Sequence, residues 1–245
     1  MIVTPDKIMV ALDVDELSEA EGIAAQLAGS GVTFKIGNQL GTFEGWQRAI
    51  EFARRAGVQI FCDTKFKDIP ETVKKSSRAI TRHQPDFFNI MADNSPEALR
   101  AAVDGIDSAM KDFNLKKRPI LLGVTVLTSI NAETCLSIYG DKPSAKVLQF
   151  AAEAARCGLD GVVCSAAEAE LLRAHEATKD LLLVTPGIRP TWAANGDQSR
   201  VMTPARAIEA GADYLVIGRP ITEPSEEIGT SRTALEKILQ EIGDA

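Results

Sequence analysis

Histidine is nearly missing from this chain of 245 residues; there are two, His83 and His175. Both fall on helical patterns away from any strand end, so acid–base or triad chemistry built on imidazole is disfavoured. Cysteine is sparse as well. Cys62, Cys135, Cys157 and Cys164 show no C-x-x-C spacing and sit in apolar or helical surroundings. That argues against a disulfide scaffold or a zinc site and for reduced thiols acting as small hydrophobes. Positive charge is not in excess: 27 basic against 34 acidic groups leave a formal charge of −7. That argues against a surface that coats nucleic acid, while leaving room for a local basic pocket for phosphate. No apolar run approaches the ~20 residues of a membrane span. The start, Met1-Ile2-Val3-Thr4-Pro5-Asp6-Lys7, lacks the basic lead into an apolar core of a secretory signal, and a cytoplasmic location is the expectation.

What is present is a regular alternation. Short β-branched runs expected as strands are Ile8–Val14, Thr33–Gly37, Gln59–Lys65, Phe87–Met91, Ile120–Leu127, Gly161–Ser165, Leu181–Thr185 and Tyr214–Ile217. Amphipathic helical patterns follow them at Glu16–Ala28, Trp46–Ala56, Pro70–His83, Pro96–Phe113, Ala145–Arg156, Ala167–Ala177, Pro204–Ala210 and Ser225–Ile242. Eight strands each followed by a helix predict a parallel α/β architecture closed as a (β/α)8 TIM barrel. With no linker and no low-complexity tract, the expectation is one domain over residues 1–245.

Several joints carry their own punctuation. Ser95-Pro96 and Thr203-Pro204 read as an N-cap followed by a first-turn proline. Asp68-Ile69-Pro70-Glu71 has the Asp-x-x-Glu form of a capped helix start, with Asp68 as the cap. Gly57, Gly158 and Gly211 follow helical patterns where a left-handed residue is wanted. The polar stretch Gly187–Arg200 is long for a βα turn, and on the catalytic face of a barrel it reads as a lid over the ligand.

The most informative stretch is Asp63-Thr64-Lys65-Phe66-Lys67-Asp68-Ile69. Asp63 and Lys65 are two apart, which on a strand points both side chains to one face. Opposed charges gathered behind the apolar Gln59-Ile60-Phe61-Cys62 are a poor packing device, because desolvating unpaired charge costs several kcal/mol. Lys35 likewise sits inside an apolar strand, between Phe34 and Ile36. Barrel enzymes keep their chemistry at the C-terminal strand ends. There this chain places Ala11-Leu12-Asp13, Lys35-Ile36-Gly37, Asp63 with Lys65, Leu127-Thr128-Ser129, Thr185-Pro186-Gly187-Ile188-Arg189-Pro190, Gly196-Asp197-Gln198-Ser199-Arg200 and Ile217-Gly218-Arg219-Pro220-Ile221-Thr222. An arginine after a glycine at the end of strand eight suits the usual barrel phosphate site.

In this order, from Ala11 to Thr222, these segments resemble the orotidine 5′-monophosphate decarboxylase family. The D-x-K-x-x-D-I run alone marks a wider group that includes hexulose-6-phosphate synthase-like aldolases; joined to the other motifs it points to the decarboxylases. The resemblance implies decarboxylation of orotidine 5′-monophosphate to uridine 5′-monophosphate, the last step of pyrimidine nucleotide synthesis, with no metal and no cofactor. It implies that Lys35, Asp63, Lys65 and Asp68 form an alternating charge network, Lys65 protonating carbon 6 and Asp68 completing the neighbouring site of a homodimer. It further implies ribose contacts from Asp13 and Lys35, contacts to the pyrimidine from Thr128 and Ser129, a phosphate grip from Gln198 and Arg219, close approach at Gly218, and a substrate contact at Pro186. Arg189 and Arg200 stay open between the phosphate and the loop itself. One segment departs: many members close strand four with a histidine and glycines, and this chain reads Asn89-Ile90-Met91-Ala92-Asp93-Asn94. Two rivals stand beside this reading, a Mg²⁺-dependent aldolase of the same superfamily and a non-catalytic phosphate-ligand binder.

Overall fold

A computed structural model describes residues 4–193 and 201–243. Gln198 and Arg200, with the second half of the stretch expected as a lid, lie outside the described residues. The chain enters through a 3₁₀ turn, Pro5–Lys7, and then alternates as expected: β1 (Ile8–Leu12), α1 (Leu17–Leu27), β2 (Thr33–Ile36), α2 (Asn38–Phe43), α3 (Trp46–Arg55), β3 (Gln59–Phe66), α4 (Pro70–Arg82), β4 (Phe87–Met91) and α5 (Pro96–Asp112). The second half continues with β5 (Ile120–Val124), α6 (Ala132–Tyr139), α7 (Pro143–Arg156), β6 (Gly161–Val163), α8 (Ala166–Ala174), β7 (Leu182–Thr185), α9 (Pro204–Glu209), β8 (Tyr214–Ile217), α10 (Arg219–Thr222) and α11 (Ser231–Gly243). The strands pair in sequence order, all parallel, and β8 returns to β1 to close the (β/α)8 barrel.

Strands buried on both faces explain why each reads as a nearly continuous apolar run. Residues alternate between two layers. Met9, Phe61, Phe87, Leu122, Val184 and Val216 fill the barrel interior. Their neighbours, such as Val10, Phe34, Cys62, Phe88 and Ile217, face the helices with Ile23, Leu27, Leu235 and Ile238. Inside, Phe87 meets Phe61 and Tyr214 edge-on, with ring centroids 6.2 and 5.2 Å apart. Burying each such ring is worth roughly 1.5–3 kcal/mol. Outside, α5 comes so close to α4 that a Cβ on Gly105 would lie 2.3 Å from the Lys74 carbonyl oxygen, so only glycine fits.

The helix punctuation works largely as its chemistry requires. Ser95 and Thr203 accept from the amides of Ala98 and Arg206, each with a proline in the first turn. Gly57, Gly158 and Gly211 take φ of 71°, 86° and 105° after their helices. The cap reading at Asp68 is corrected. The N-cap of α4 is Ile69, and Asp68 instead accepts from the Ile69 amide while donating its own N–H to Asn94 Oδ1. The loop after β3 is tied to the loop after β4, and the N-cap falls one residue on while the helix itself begins at Pro70 as expected.

Three helices differ from expectation. α2 and α10 are too short to show a 3.6-residue period. α6 did carry readable ends, Asn131 capping Thr134 and Gly140 in the left-handed region, but its apolar residues Leu136 and Ile138 stay exposed. Several strands also stop sooner: β5 ends at Val124 rather than Leu127, and β6 at Val163 rather than Ser165. His83 and His175 cap the C-termini of α4 and α8, at the end of the barrel away from the strand C-termini. All four cysteines are free and buried. Among the described residues no helix is long and apolar enough to cross a membrane.

Candidate active site

The register of three neighbouring strands builds the charged row. Ala11 on β1 pairs with Lys35 on β2, and Lys35 with Phe61 on β3. Ala11 and Phe61 face the interior, so two residues further along Asp13 and Asp63 face it again, one level up. Lys35 begins in the apolar level and its four-carbon stem reaches that next level. There its Nζ lies 3.0 Å from Asp13 Oδ1 and 3.3 Å from Asp63 Oδ2. Lys65 Nζ sits 2.5 Å from Asp63 Oδ1. The result is one line of alternating charge, Asp13–Lys35–Asp63–Lys65.

Burial makes this line consequential. The Lys35 side chain is 9% exposed and that of Asp63 13%, against 57% for Asp13 and 31% for Lys65. Burial alone would pull the Lys35 pKa down, but the carboxylates of Asp63 and Asp13 overcome it and hold the ammonium above its usual range. Burial would likewise raise Asp63; the ammoniums of Lys35 and Lys65, with hydrogen bonds from Lys65 and Asn89, instead hold its carboxyl at about 2. Packing is tight here too: a Cβ on Gly37 would stand 3.0 Å from Asp13 Oδ1 and 3.4 Å from Lys35 Nζ.

Lys65 is also held by its backbone. β3 loses register with β4 between Cys62 and Phe66, and Lys65 takes φ +48°, the left-handed region that non-glycine residues rarely enter. Asp63 and Lys65 do face the same space, as their spacing implied, but through this irregularity and not through a regular strand.

These residues line a cavity of about 400 Å³ at the C-terminal strand ends. Its floor is apolar, with Ala11, Phe61, Val124, Val163 and Val216. Thr128, Pro186, Gly218, Arg189 and Arg219 line it as well. Arg189 is 8% exposed, and burial together with the Arg219 guanidinium pulls its pKa below the ordinary arginine range. Two cations near one another, one of them buried, make a place where an anion would be stabilised. Lys35, Lys65, Arg189 and Arg219 stand against Asp13, Asp63 and Glu223 among the lining residues, four cations to three carboxylates in a chain of net charge −7. A Cβ on Gly218 would make only ordinary contact, 3.5 Å from Ala11. The Gly218 backbone, at φ −102° and ψ −110°, lies outside the regions open to residues with a side chain, so conformation and not crowding favours glycine there.

Two residues grouped with these in the sequence lie apart. Ser129 is exposed and does not line the cavity. After β5 the chain turns, with the Ile130 amide donating to the Leu127 carbonyl at 2.9 Å, and only Thr128 of that pair faces inward. Asp68 is exposed and outside its own cavity. Beside it Ile69 is 66% exposed. The same loop is linked to α6, since Asp93 Oδ2 pairs with Lys67 Nζ at 2.6 Å and accepts from Tyr139 Oη at 3.2 Å.

The strand-four segment stood out in the sequence only as a departure from the family pattern, without a contact to the charge row. Asn89 contacts Asp63, Lys65 and Thr64, and Asn94 Nδ2 donates to the carbonyls of Phe66 and Met91. The available signal was parity. Phe87 faces the interior and Phe88 the helices, so Asn89 must point into the barrel, where a polar group needs a partner.

A closed (β/α)8 barrel with an alternating charge row and paired arginines at its strand ends is the frame of a barrel enzyme with an anion-binding cleft. The model of the orotidine 5′-phosphate decarboxylase / HUMPS family matches residues 6–234, and the chain belongs to that family. It is 42% identical over 243 residues to the orotidine 5′-phosphate decarboxylase of Idiomarina loihiensis, covering 97% of this chain and 98% of that one. It is also 42% identical to the enzyme of that name from Nostoc sp., over 97% of each chain. The crystal structure of orotidine 5′-phosphate decarboxylase from Lactobacillus acidophilus superposes with a TM-score of 0.80 at 31% identity, covering 96% of this chain and 98% of that one.

Proposed function

We propose that this protein decarboxylates orotidine 5′-monophosphate to uridine 5′-monophosphate in pyrimidine nucleotide synthesis, without metal or organic cofactor. The observation that carries the reading is the Asp13–Lys35–Asp63–Lys65 row sharing one cavity with Arg189 and Arg219. The nucleotide lies with its phosphate at the arginines and its pyrimidine toward Lys65. Asp13 and Lys35 take the ribose hydroxyls, and Thr128 and Pro186 border the base. Gln198 joins the phosphate grip from outside the described residues.

In the reaction the bond between carbon 6 and the carboxylate breaks, and its electron pair stays on carbon 6 as carbon dioxide leaves. Charge therefore moves toward Lys65. The ammonium, preorganised against Asp63, stabilises that pair and then delivers a proton from Nζ to carbon 6; water restores the proton afterwards. Asp63 repels the substrate carboxylate but not the product, so the site favours the transition state over the ground state. Binding energy from the distant phosphate holds the ring in place against that repulsion.

The same reading makes the protein a homodimer in which Asp68 of the partner subunit completes each charge row. Support comes from the exposure of Asp68 outside its own cavity and from the exposed Ile69, Leu136 and Ile138. Lys35 favours decarboxylation over the aldolase chemistry found elsewhere in the superfamily. Aldolase chemistry wants a further acidic metal ligand near strand two, where this chain has an ammonium shared by two carboxylates.

Ultraviolet absorbance tests the proposal. Purified protein in excess EDTA should bleach the orotate chromophore of orotidine 5′-monophosphate and yield uridine 5′-monophosphate. An unchanged spectrum with folded protein overturns it.

A further inference from the structure

Asn89 stands opposite the most irregular point of the barrel. Cys62 of β3 pairs with Phe88 of β4, and the next paired residues are Phe66 and Ile90. Asp63, Thr64 and Lys65 therefore oppose one residue, Asn89, and the regular ladder cannot serve all of them. Asn89 supplies the missing bonds. Its main-chain carbonyl accepts from Thr64 Oγ1 at 2.5 Å, its Oδ1 accepts from the Lys65 amide at 2.7 Å, and its Nδ2 donates to Asp63 Oδ1 at 2.7 Å. The side chain is completely buried. The amide can be oriented only one way, because the Lys65 amide can only donate and an ionised Asp63 can only accept.

We propose that Asn89 is a positioning residue for the decarboxylation, holding Asp63 and Lys65 in register through one side-chain amide. This inference rests on the decarboxylase reading. Asp63 Oδ1 receives two donors, Lys65 Nζ and Asn89 Nδ2, while Lys35 takes Oδ2. When Lys65 gives its proton to carbon 6, its grip on Asp63 weakens. Asn89 and Lys35 then keep the carboxylate in place, ionised and aimed. At the same time Oδ1 anchors the left-handed backbone of Lys65, which no regular strand bond would hold. Asn89 touches neither the reacting atoms nor the phosphate end, so its loss should appear in turnover and not in binding.

The test uses the full chain in wild-type, Asn89→Ala and Asn89→Asp forms, assayed with orotidine 5′-monophosphate. Asn89→Ala removes both side-chain bonds; kcat should fall by roughly 10²-fold or more, the effect of a misplaced reacting group, with KM changed by less than about threefold. Asn89→Asp keeps the shape and the acceptor but loses the donor, and it faces Asp63 with Lys35 and Lys65 just beyond. Its kcat should also fall at neutral pH and recover as acid protonates the new carboxyl and restores a donor. A merely structural role would lower the melting temperature and leave kcat and its pH profile unmoved in the folded protein. An active wild type with a folded Asn89→Asp variant at near-wild-type kcat and an unchanged pH profile overturns this inference alone. A wild type that leaves the substrate intact overturns the decarboxylase reading and this inference with it.

Discussion

Lys65 Nζ stands 2.5 Å from Asp63 Oδ1, on a backbone that Lys65 enters with φ +48°. A left-handed non-glycine residue costs of order 1–3 kcal/mol and persists only when its surroundings over-determine it. Here they do: the register shift in β3, the Asn89 bond to the Lys65 amide and the Asp63 ion pair all act on the same residue. The strain lies in the backbone of the residue to whose ammonium the proposed chemistry assigns the proton.

Asp68 gives the most direct test of assembly. Lys65→Ala and Asp68→Ala proteins should each be inactive alone. Mixed in equal amounts and allowed to exchange, subunits of the proposed homodimer should form heterodimers in which one site keeps both residues, so activity should return to about a quarter of the wild-type value. Steady-state assays before and after mixing measure it, and a mixture that stays inactive despite subunit exchange contradicts a shared site.

Arg219→Ala and Arg189→Ala should act on the phosphate end. Losing a charge-assisted contact to a phosphate costs about 1.5–3 kcal/mol, so KM should rise roughly 10- to 150-fold while kcat changes less. Thermal shift offers a second reading: uridine 5′-monophosphate should raise the melting temperature of wild type and much less that of either variant. Equal shifts in all three proteins would remove the arginines from the ligand.

The Asp63 carboxyl makes stability depend on pH in a defined window. Its folded pKa is depressed to about 2, below the usual ~3.9 of an unfolded chain. The folded state therefore releases this proton more readily than the unfolded one. The stabilisation is complete above about pH 4 and is lost as pH falls through about 2, a difference on the order of 2–3 kcal/mol. Urea unfolding between pH 5 and 2 should show a steeper loss for wild type than for Asp63→Asn, and parallel curves would contradict the coupling.

The barrel was legible because each strand is buried on both faces and most helices on one, so apolar runs and amphipathic periods alternate along the chain. Ser95-Pro96 and Thr203-Pro204 marked helix starts because their chemistry is local. The charged row was legible for a related reason: Lys35 and Asp63 are costly where they sit, and cost without local relief points to a site. What escaped depends on contacts between distant segments. Asp68 looked like a cap, but its amide is bound to Asn94 of the next loop and the N-cap of α4 is Ile69. Asn89 stood out only as the start of a segment that departs from the family pattern, and its contacts with the charge row follow from a register shift on the neighbouring strand. Ser129 and Thr128 are chemically alike, and a single turn after β5 separates them. Gln198 and Arg200 lie outside the described residues, and their assignment rests on the motif.

The most direct measurement is turnover of orotidine 5′-monophosphate by Lys65→Ala protein, with circular dichroism and uridine 5′-monophosphate binding taken on the same sample. The account predicts a folded protein that still binds the nucleotide and has lost at least about 10³-fold in kcat, since both the proton donor and the charge facing carbon 6 are gone. Near-native turnover by that protein would contradict it.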